Sequence, residues 1–200
     1  MTGPGSYPYV ATLWQGGNVT NLGTLFGYFS RASGINNSGT IVGMSDNHAF
    51  VCTPARGMQL LPDPSGCIYS SAEAINDAGV IVGSTSPTNF SCAVHAVVWK
   101  DGKATDIGLL IPPTAFASIY AYAINSAEVI VGDADTLTGT HAIIYDVTDG
   151  MRDLNTLIAP SSGWVLTSSA AINDSGQILG LGQQGGANPE LICLLLEAIS

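Results

Sequence analysis

Ala72-Glu-Ala-Ile-Asn-Asp-Ala-Gly-Val-Ile-Val-Gly83 holds two short apolar runs separated by Asn-Asp-Ala-Gly. Runs this short, rich in β-branched residues and bounded by Asn, Asp and Gly, read as strands, and the segment between them as a hairpin turn. The Asn or Asp side chain bonds the backbone two residues on, and Gly supplies the positive φ that closes the turn. The phrase returns as Ala32-Ser-Gly-Ile-Asn-Asn-Ser-Gly-Thr-Ile-Val-Gly43, Ala121-Tyr-Ala-Ile-Asn-Ser-Ala-Glu-Val-Ile-Val-Gly132 and Ala170-Ala-Ile-Asn-Asp-Ser-Gly-Gln-Ile-Leu-Gly180. Its Ile-Asn steps begin at Ile35, Ile75, Ile124 and Ile172, so the copies stand 40, 49 and 48 residues apart. Glu128 replaces the turn glycine in the third copy, which predicts a different geometry for that turn.

Two further phrases follow each hairpin. One reads His48-Ala-Phe-Val-Cys, His95-Ala-Val-Val-Trp and His141-Ala-Ile-Ile-Tyr, with a weaker copy at Val10-Ala-Thr-Leu-Trp14. The other reads Gly17-Asn-Val-Thr-Asn-Leu-Gly-Thr-Leu25, Gly57-Met-Gln-Leu-Leu61, Gly102-Lys-Ala-Thr-Asp-Ile-Gly-Leu-Leu110 and Gly150-Met-Arg-Asp-Leu-Asn-Thr-Leu157. With the hairpin strands named A and B and these two C and D, the chain reads CD, ABCD, ABCD, ABCD, AB and a last C-like strand. Units of four strands and about 40 to 50 residues have the size of propeller blades. The expectation is an all-β, propeller-like single repeat domain spanning residues 1–200, with four blades of four antiparallel strands. The C-terminal A and B strands complete one blade with the N-terminal C and D strands, and one C-like strand is left over. A β-solenoid is the rival, but its rungs must stay in register and these repeat lengths vary by nine residues.

The composition narrows the partners. Five Lys and Arg against 15 Asp and Glu give a net charge of −10, and 46% of residues are apolar. A nucleic-acid binder needs clustered basic residues to neutralise phosphates, so that class is excluded. No apolar run reaches membrane-spanning length, which argues against membrane insertion. Met1 to Pro8 has neither the basic nor the apolar region of a signal peptide. Low charge with abundant Ser, Thr and Gly leans toward an exported protein. Cys52, Cys67, Cys92 and Cys193 show no CxxC spacing, and a thiol inside an apolar strand is usually a small hydrophobe. Cys52 and Cys67 are the nearest pair for a disulfide.

The three phrases together resemble the HAF family of predicted extracellular repeat proteins. The resemblance rests on His48-Ala49-Phe50, on Asn21-Leu-Gly-Thr-Leu25 and Asp153-Leu-Asn-Thr-Leu157, and on the Ile-Asn-x-x-Gly-x-Ile-Val-Gly hairpin, and it covers roughly residues 9 to 182. It implies a secreted bacterial protein and implies no reaction.

Candidate site residues follow from position. His48, His95 and His141 share one repeat position, and a ring of imidazoles could hold Zn²⁺. The plainer reading is that each bonds a neighbouring strand. Asn36, Asn76, Asn125 and Asn173 cap the A–B turns. Residues that differ between repeats carry more information about function, because the fold does not demand them. Asp133 and Asp135 stand in one B–C connection and Asp46 in the equivalent one. Paired loop carboxylates suit Ca²⁺ or acid–base work. The expected ligand-binding set is Asp46, His48, Asp133, Asp135 and His141. Loop aromatics such as Tyr7, Tyr9, Tyr28, Phe29, Tyr69, Phe90, Phe116, Tyr120 and Trp164 could stack on sugar rings. No G-x-S-x-G elbow or phosphate loop is present. The reading favoured is a secreted binding or interaction module for a glycan, small molecule or protein. The alternative is a hydrolase or lyase acting on an ester, lactone or glycan in a central depression.

Overall fold

The computed structural model describes residues 9–64, 67–87, 93–108, 110, 117–185 and 191–197. Strands of type A are β3 (Ser30–Ile35), β7 (Cys67–Ile75), β11 (Ile119–Ile124) and β15 (Trp164–Ile172). Type B are β4 (Ile41–Ser45), β8 (Ile81–Pro87), β12 (Ile130–Thr136) and β16 (Gln177–Gln184). Type C are β1 (Thr12–Gln15), β5 (His48–Thr53), β9 (His95–Lys100), β13 (Gly139–Asp146) and β17 (Leu191–Glu197). Type D are β2 (Asn18–Asn21), β6 (Gly57–Leu60), β10 (Lys103–Asp106) and β14 (Gly150–Asp153). The chain is all-β: the only helical segments among the described residues are two short 3₁₀ turns, Leu154–Thr156 and Pro160–Ser162.

Each full repeat forms one antiparallel sheet in the order A-B-C-D: β3-β4-β5-β6, β7-β8-β9-β10 and β11-β12-β13-β14. β1 and β2 make a separate two-stranded sheet, and β15-β16-β17 a three-stranded one. Five sheets therefore stand where four blades were expected. Among the described residues the expected pairing of β1 with β16 does not form. β16 has β17 on its free side, with Leu181 opposite Cys193, and β1 pairs only with β2. The surplus strand is β17, and it takes the place that β1 would fill.

All four A–B hairpins form where the Asn-x-x-Gly turns predict. In each, the asparagine carbonyl accepts from the residue three on, as in Gly79 N–H to Asn76 O at 3.0 Å. The third turn corrects the expectation about Glu128. Glu128 donates to Asn125 O at 3.1 Å and holds φ +60, beside +77, +81 and +80 for Gly39, Gly79 and Gly176. The geometry is kept because Asn125 Oδ1 accepts from the Ala127 and Val129 N–H groups and fixes the turn without glycine.

The glycine ending Ile-Val-Gly has a different cause. Strand A carries a bulge in every hairpin, between Ala32 and Gly34, Ala72 and Ala74, Ala121 and Ala123, and Ser169 and Ala171. The bulge bends a strand-A carbonyl over the facing strand B. A Cβ on Gly43, Gly83, Gly132 or Gly180 would collide with the carbonyl oxygen of Arg31, Ser71, Tyr120 or Ser168 respectively.

The core is divided among the boundaries between successive sheets. Strand residues alternate faces, and in Ile-Val the Ile packs back on the preceding sheet while the Val packs forward. Ile41 joins Ala11, Phe50 and Cys52, whereas Val42 joins Ala72, Ile81, Val97 and Trp99. Val82 joins Ile119, Ile130 and Ile143, and Val131 joins Ile144, Leu166 and Ile178. Trp99 also donates its indole N–H to Pro62 O at 2.7 Å, which satisfies the one polar atom of the largest core side chain. Cys52 and Cys67 are both free, so the disulfide between them does not form; burial pushes the Cys52 thiol up. Cys92 lies outside the described residues.

Candidate functional site

The three histidines that open strand C each lie beside an aspartate of their own repeat. His95 Nδ1 lies 2.7 Å from Asp106 Oδ2, and His141 Nδ1 lies 2.6 Å from Asp153 Oδ2, the aspartate at the end of strand D. In the second sheet Leu60 occupies that aspartate position. His48 instead reaches Asp63 at 3.4 Å, and the other Asp63 oxygen is buried without a partner among the described residues. In the first sheet Val10 replaces the histidine and Asn21 the aspartate, so both members of the pair are changed together. Among the described residues no group of three or more His, Cys, Asp or Glu side chains could share a metal ion.

Asp46 and Asp135 are anchors for the chain entering strand A. The Asp46 carboxylate accepts from the N–H groups of Phe26, Tyr28 and Phe29 at 2.9, 3.0 and 2.9 Å, and from the Ser45 hydroxyl. Burial raises its pKa, but the bonds from Phe29, Phe26, Ser45 and Tyr28 outweigh that and hold the carboxyl below its usual range. Asp135 accepts from Ser118 N–H at 3.1 Å and from the Thr140 hydroxyl at 3.2 Å, while its own N–H donates to Ser118 O. Of the five expected site residues, four thus bond strand D, the segment after it or the chain entering strand A.

Asp133 is different. It faces Tyr120 across the β11–β12 ladder and receives hydrogen bonds from Ser168 and Tyr122. Burial pushes its carboxyl up against those two bonds, with the nearby Asp135 charge acting in the same direction as burial. Tyr120 and Tyr122 stack with ring centroids 6.1 Å apart and planes 8° from parallel. Both phenols are raised, first by burial and next by the charge of Asp133. On β7, Glu73 accepts from the Ser71 hydroxyl at 2.5 Å and from Arg31 of β3 at 3.4 Å. The strand-A positions thereby carry a polar row across successive sheets: Arg31, Ser71 with Glu73, Tyr120 with Tyr122, and Ser168.

A cleft of about 430 Å³ opens beside this row. Ser71, Ser84, Thr85 and Tyr120 line it, with Asn47 of the β4–β5 turn and Met44 at one side. Thr85 is 2% exposed, and its hydroxyl has no hydrogen-bond partner among the described residues. A buried hydroxyl without a partner costs about 1–3 kcal/mol, so the fold alone gives no reason for it. Two other lining serines have scaffold duties: Ser70 Oγ accepts from Ala49 N–H at 2.8 Å and Ser118 Oγ from Val94 N–H at 3.2 Å.

A second depression, of about 330 Å³, is ringed by all four A–B turns. There the asparagines form a ladder: Asn36 Nδ2 donates to Asn76 O at 3.1 Å, Asn76 to Asn125 O at 3.1 Å and Asn125 to Asn173 O at 3.2 Å. These side chains join neighbouring repeats as well as capping their own turns.

Sequence reasoning named Asp133 and Tyr120 among these residues and did not name Glu73, Tyr122, Ser168, Arg31 or Thr85. The signal was present inside the repeat. Arg31, Ser71, Tyr120 and Ser168 share one repeat position, and Met44, Ser84, Asp133 and Leu181 another, and the second varies although the glycine before it is the same in all four copies. Of the loop aromatics, Tyr7, Phe90 and Phe116 lie outside the described residues; Tyr9 and Tyr28 are exposed. No helix among the described residues is long and apolar enough to cross a membrane. A family model described as a protein of unknown function (DUF3466) matches residues 23–185. A search of curated proteins gave no match.

Proposed function

The chain belongs to the DUF3466 family, and from its strand-A row we propose that it is an exported, β-propeller-like binding module that seats its ligand in the cleft beside Tyr120. The single observation that carries this reading is the cleft itself, concave, lined by hydroxyls and a stacked tyrosine, with the Thr85 hydroxyl unpaired at its wall. Pockets that combine an apolar wall with a few convergent polar groups are the usual form of a small-molecule site. The propeller arrangement is supported by four A–B turns around one depression and by cores confined to sheet boundaries. Export is supported by the composition, low in charged residues and rich in Ser, Thr and Gly, and by the HAF resemblance.

The test is ligand-observed NMR of a library of glycans and polar small molecules against the native protein and Tyr120→Ala. Saturation transfer that is present with the native chain and lost in the variant supports the reading. Equal transfer with both places the ligand elsewhere.

One observation favours the hydrolase or lyase alternative. Asp133 is a carboxyl held up by burial beside a tyrosine, and a raised carboxyl suits a general acid. Turnover of a chromogenic ester, lactone or glycoside that is abolished by Asp133→Asn would move the assignment to an enzyme.

A further inference from the structure

We infer that the cleft takes an uncharged sugar ring, an inference that rests on the cleft being the binding site. The argument begins with charge. Among the described residues no charged side chain lines the cleft, although the protein as a whole carries −10. Carboxylates stand just outside it: Asp135 accepts from the lining Ser118, and Asp133 faces the lining Tyr120, so an anion entering would meet their repulsion. A cation would need a free carboxylate, and Asp135 is already held by Ser118 and Thr140 while Asp133 is held by Tyr122 and Ser168.

The lining chemistry then selects among neutral ligands. Hydroxyls and an amide both donate and accept, and so does every hydroxyl of a sugar. Ser71, Ser84, Thr85 and Asn47 provide such groups on two sides. Tyr120 supplies the third requirement. A pyranose has a face of C–H bonds that lies against an aromatic ring, and Tyr120 is backed by the parallel ring of Tyr122, which keeps it from rotating away. The volume, about 430 Å³, is within the range of about 300–1,000 Å³ typical of small-molecule sites. Among the described residues the Thr85 hydroxyl, buried just behind this wall, has no hydrogen-bond partner. A sugar hydroxyl is the partner assigned to it.

The experiment uses the full chain and isotope-detected amide shifts. The probes are cellohexaose and N-acetylchitohexaose as neutral oligomers, oligogalacturonate as an anion, glucosamine hexamer as a cation, and a neutral tripeptide library as non-sugars. A neutral oligosaccharide is expected to shift the amides of Ser71, Thr85 and Tyr120 and to bind at least tenfold more tightly than either charged oligomer. Thr85→Val, which keeps shape and removes the hydroxyl, should weaken that binding about tenfold. The same variant should raise the melting temperature of the free protein, because it removes an unsatisfied buried group. Tyr120→Ala should remove binding altogether. Equal or tighter binding of a charged oligomer, or affinity unchanged in both variants, overturns the sugar assignment. If tripeptides shift those amides and the sugars do not, the ligand class is wrong while the binding site stands. If no probe shifts them, both are overturned.

Discussion

Asp46 shows how a loop carboxylate can be conspicuous in sequence and structural in the fold. Its oxygens satisfy three backbone N–H groups from residues 17 to 20 positions earlier, which no reading of the Met-Ser-Asp-Asn-His stretch reveals. Asp46→Ala leaves those donors with water or nothing, and is expected to cost about 2 kcal/mol in a urea titration. The pH dependence has a definite sign. A carboxyl whose folded pKa is lowered adds stability that is fully present above its unfolded value, near 3.9, and is lost as pH falls through the folded one. The stability gap between native protein and Asp46→Ala should therefore narrow as pH falls below about 4. Asp133 behaves in the opposite way. Its folded pKa is raised, chiefly by burial, so its ionisation opposes folding once pH passes the unfolded value. Asp133→Asn keeps an acceptor for Tyr122 and Ser168 without the charge, and should raise the melting temperature at pH 7; a fall would mean that the charge itself holds the site together. The sequence reading grouped the two aspartates in equivalent connections, and their hydrogen-bond partners separate them. Asp133 stands at the strand position held by Met44, Ser84 and Leu181 in the other copies.

The hairpin was legible because period, turn chemistry and apolar pattern agree at the same residues. Glu128 was misread because glycine was taken to be the cause of the turn, when the asparagine side chain sets it. The left-handed backbone at Glu128 still carries strain of about 1 kcal/mol for a residue with a Cβ. Glu128→Gly should raise stability by about that amount, since the ion pair to Lys100 that it removes lies at the surface. A loss of stability would show that the Lys100 bridge outweighs the backbone. The asparagine ladder makes a graded prediction. Asn76 is 6% exposed, donates to the next repeat and accepts from Val80 N–H at 2.9 Å, whereas Asn36 lies at the end of the ladder and is more exposed. Alanine at Asn76 is expected to cost about 2–3 kcal/mol, and at Asn36 clearly less, because water can replace the lost bonds there. The ladder was hidden in the sequence because each bond crosses 40 to 49 residues, although the recurrence of the asparagines was plain.

Across the whole molecule the cores lie between sheets, so each sheet is stabilised mainly by its immediate neighbours, as in other repeat architectures. This explains what the sequence could not decide about the ends. Two strands, β1 and β17, have the C-type pattern that fits beside β16, and local pattern does not rank them; the structure places β17 there and leaves β1 with β2. The consequence for stability is local. The first boundary is built from Ala11, Leu13, Leu22 and Leu25 packed on Ile41, Phe50 and Cys52. Deleting residues 1–27 strips that cover from Phe50, which is fully buried, and removes the Phe26 N–H that Asp46 holds. The third and fourth boundaries, around Ile119 and around Leu166, share no residue with the lost part. Hydrogen exchange should therefore show protection lost over residues 30–60 and retained over 119–153, with the truncated chain associating through its newly exposed apolar sheet. If 119–153 loses protection to the same extent, the sheets unfold as one cooperative ring, and stability is not a sum over neighbouring boundaries.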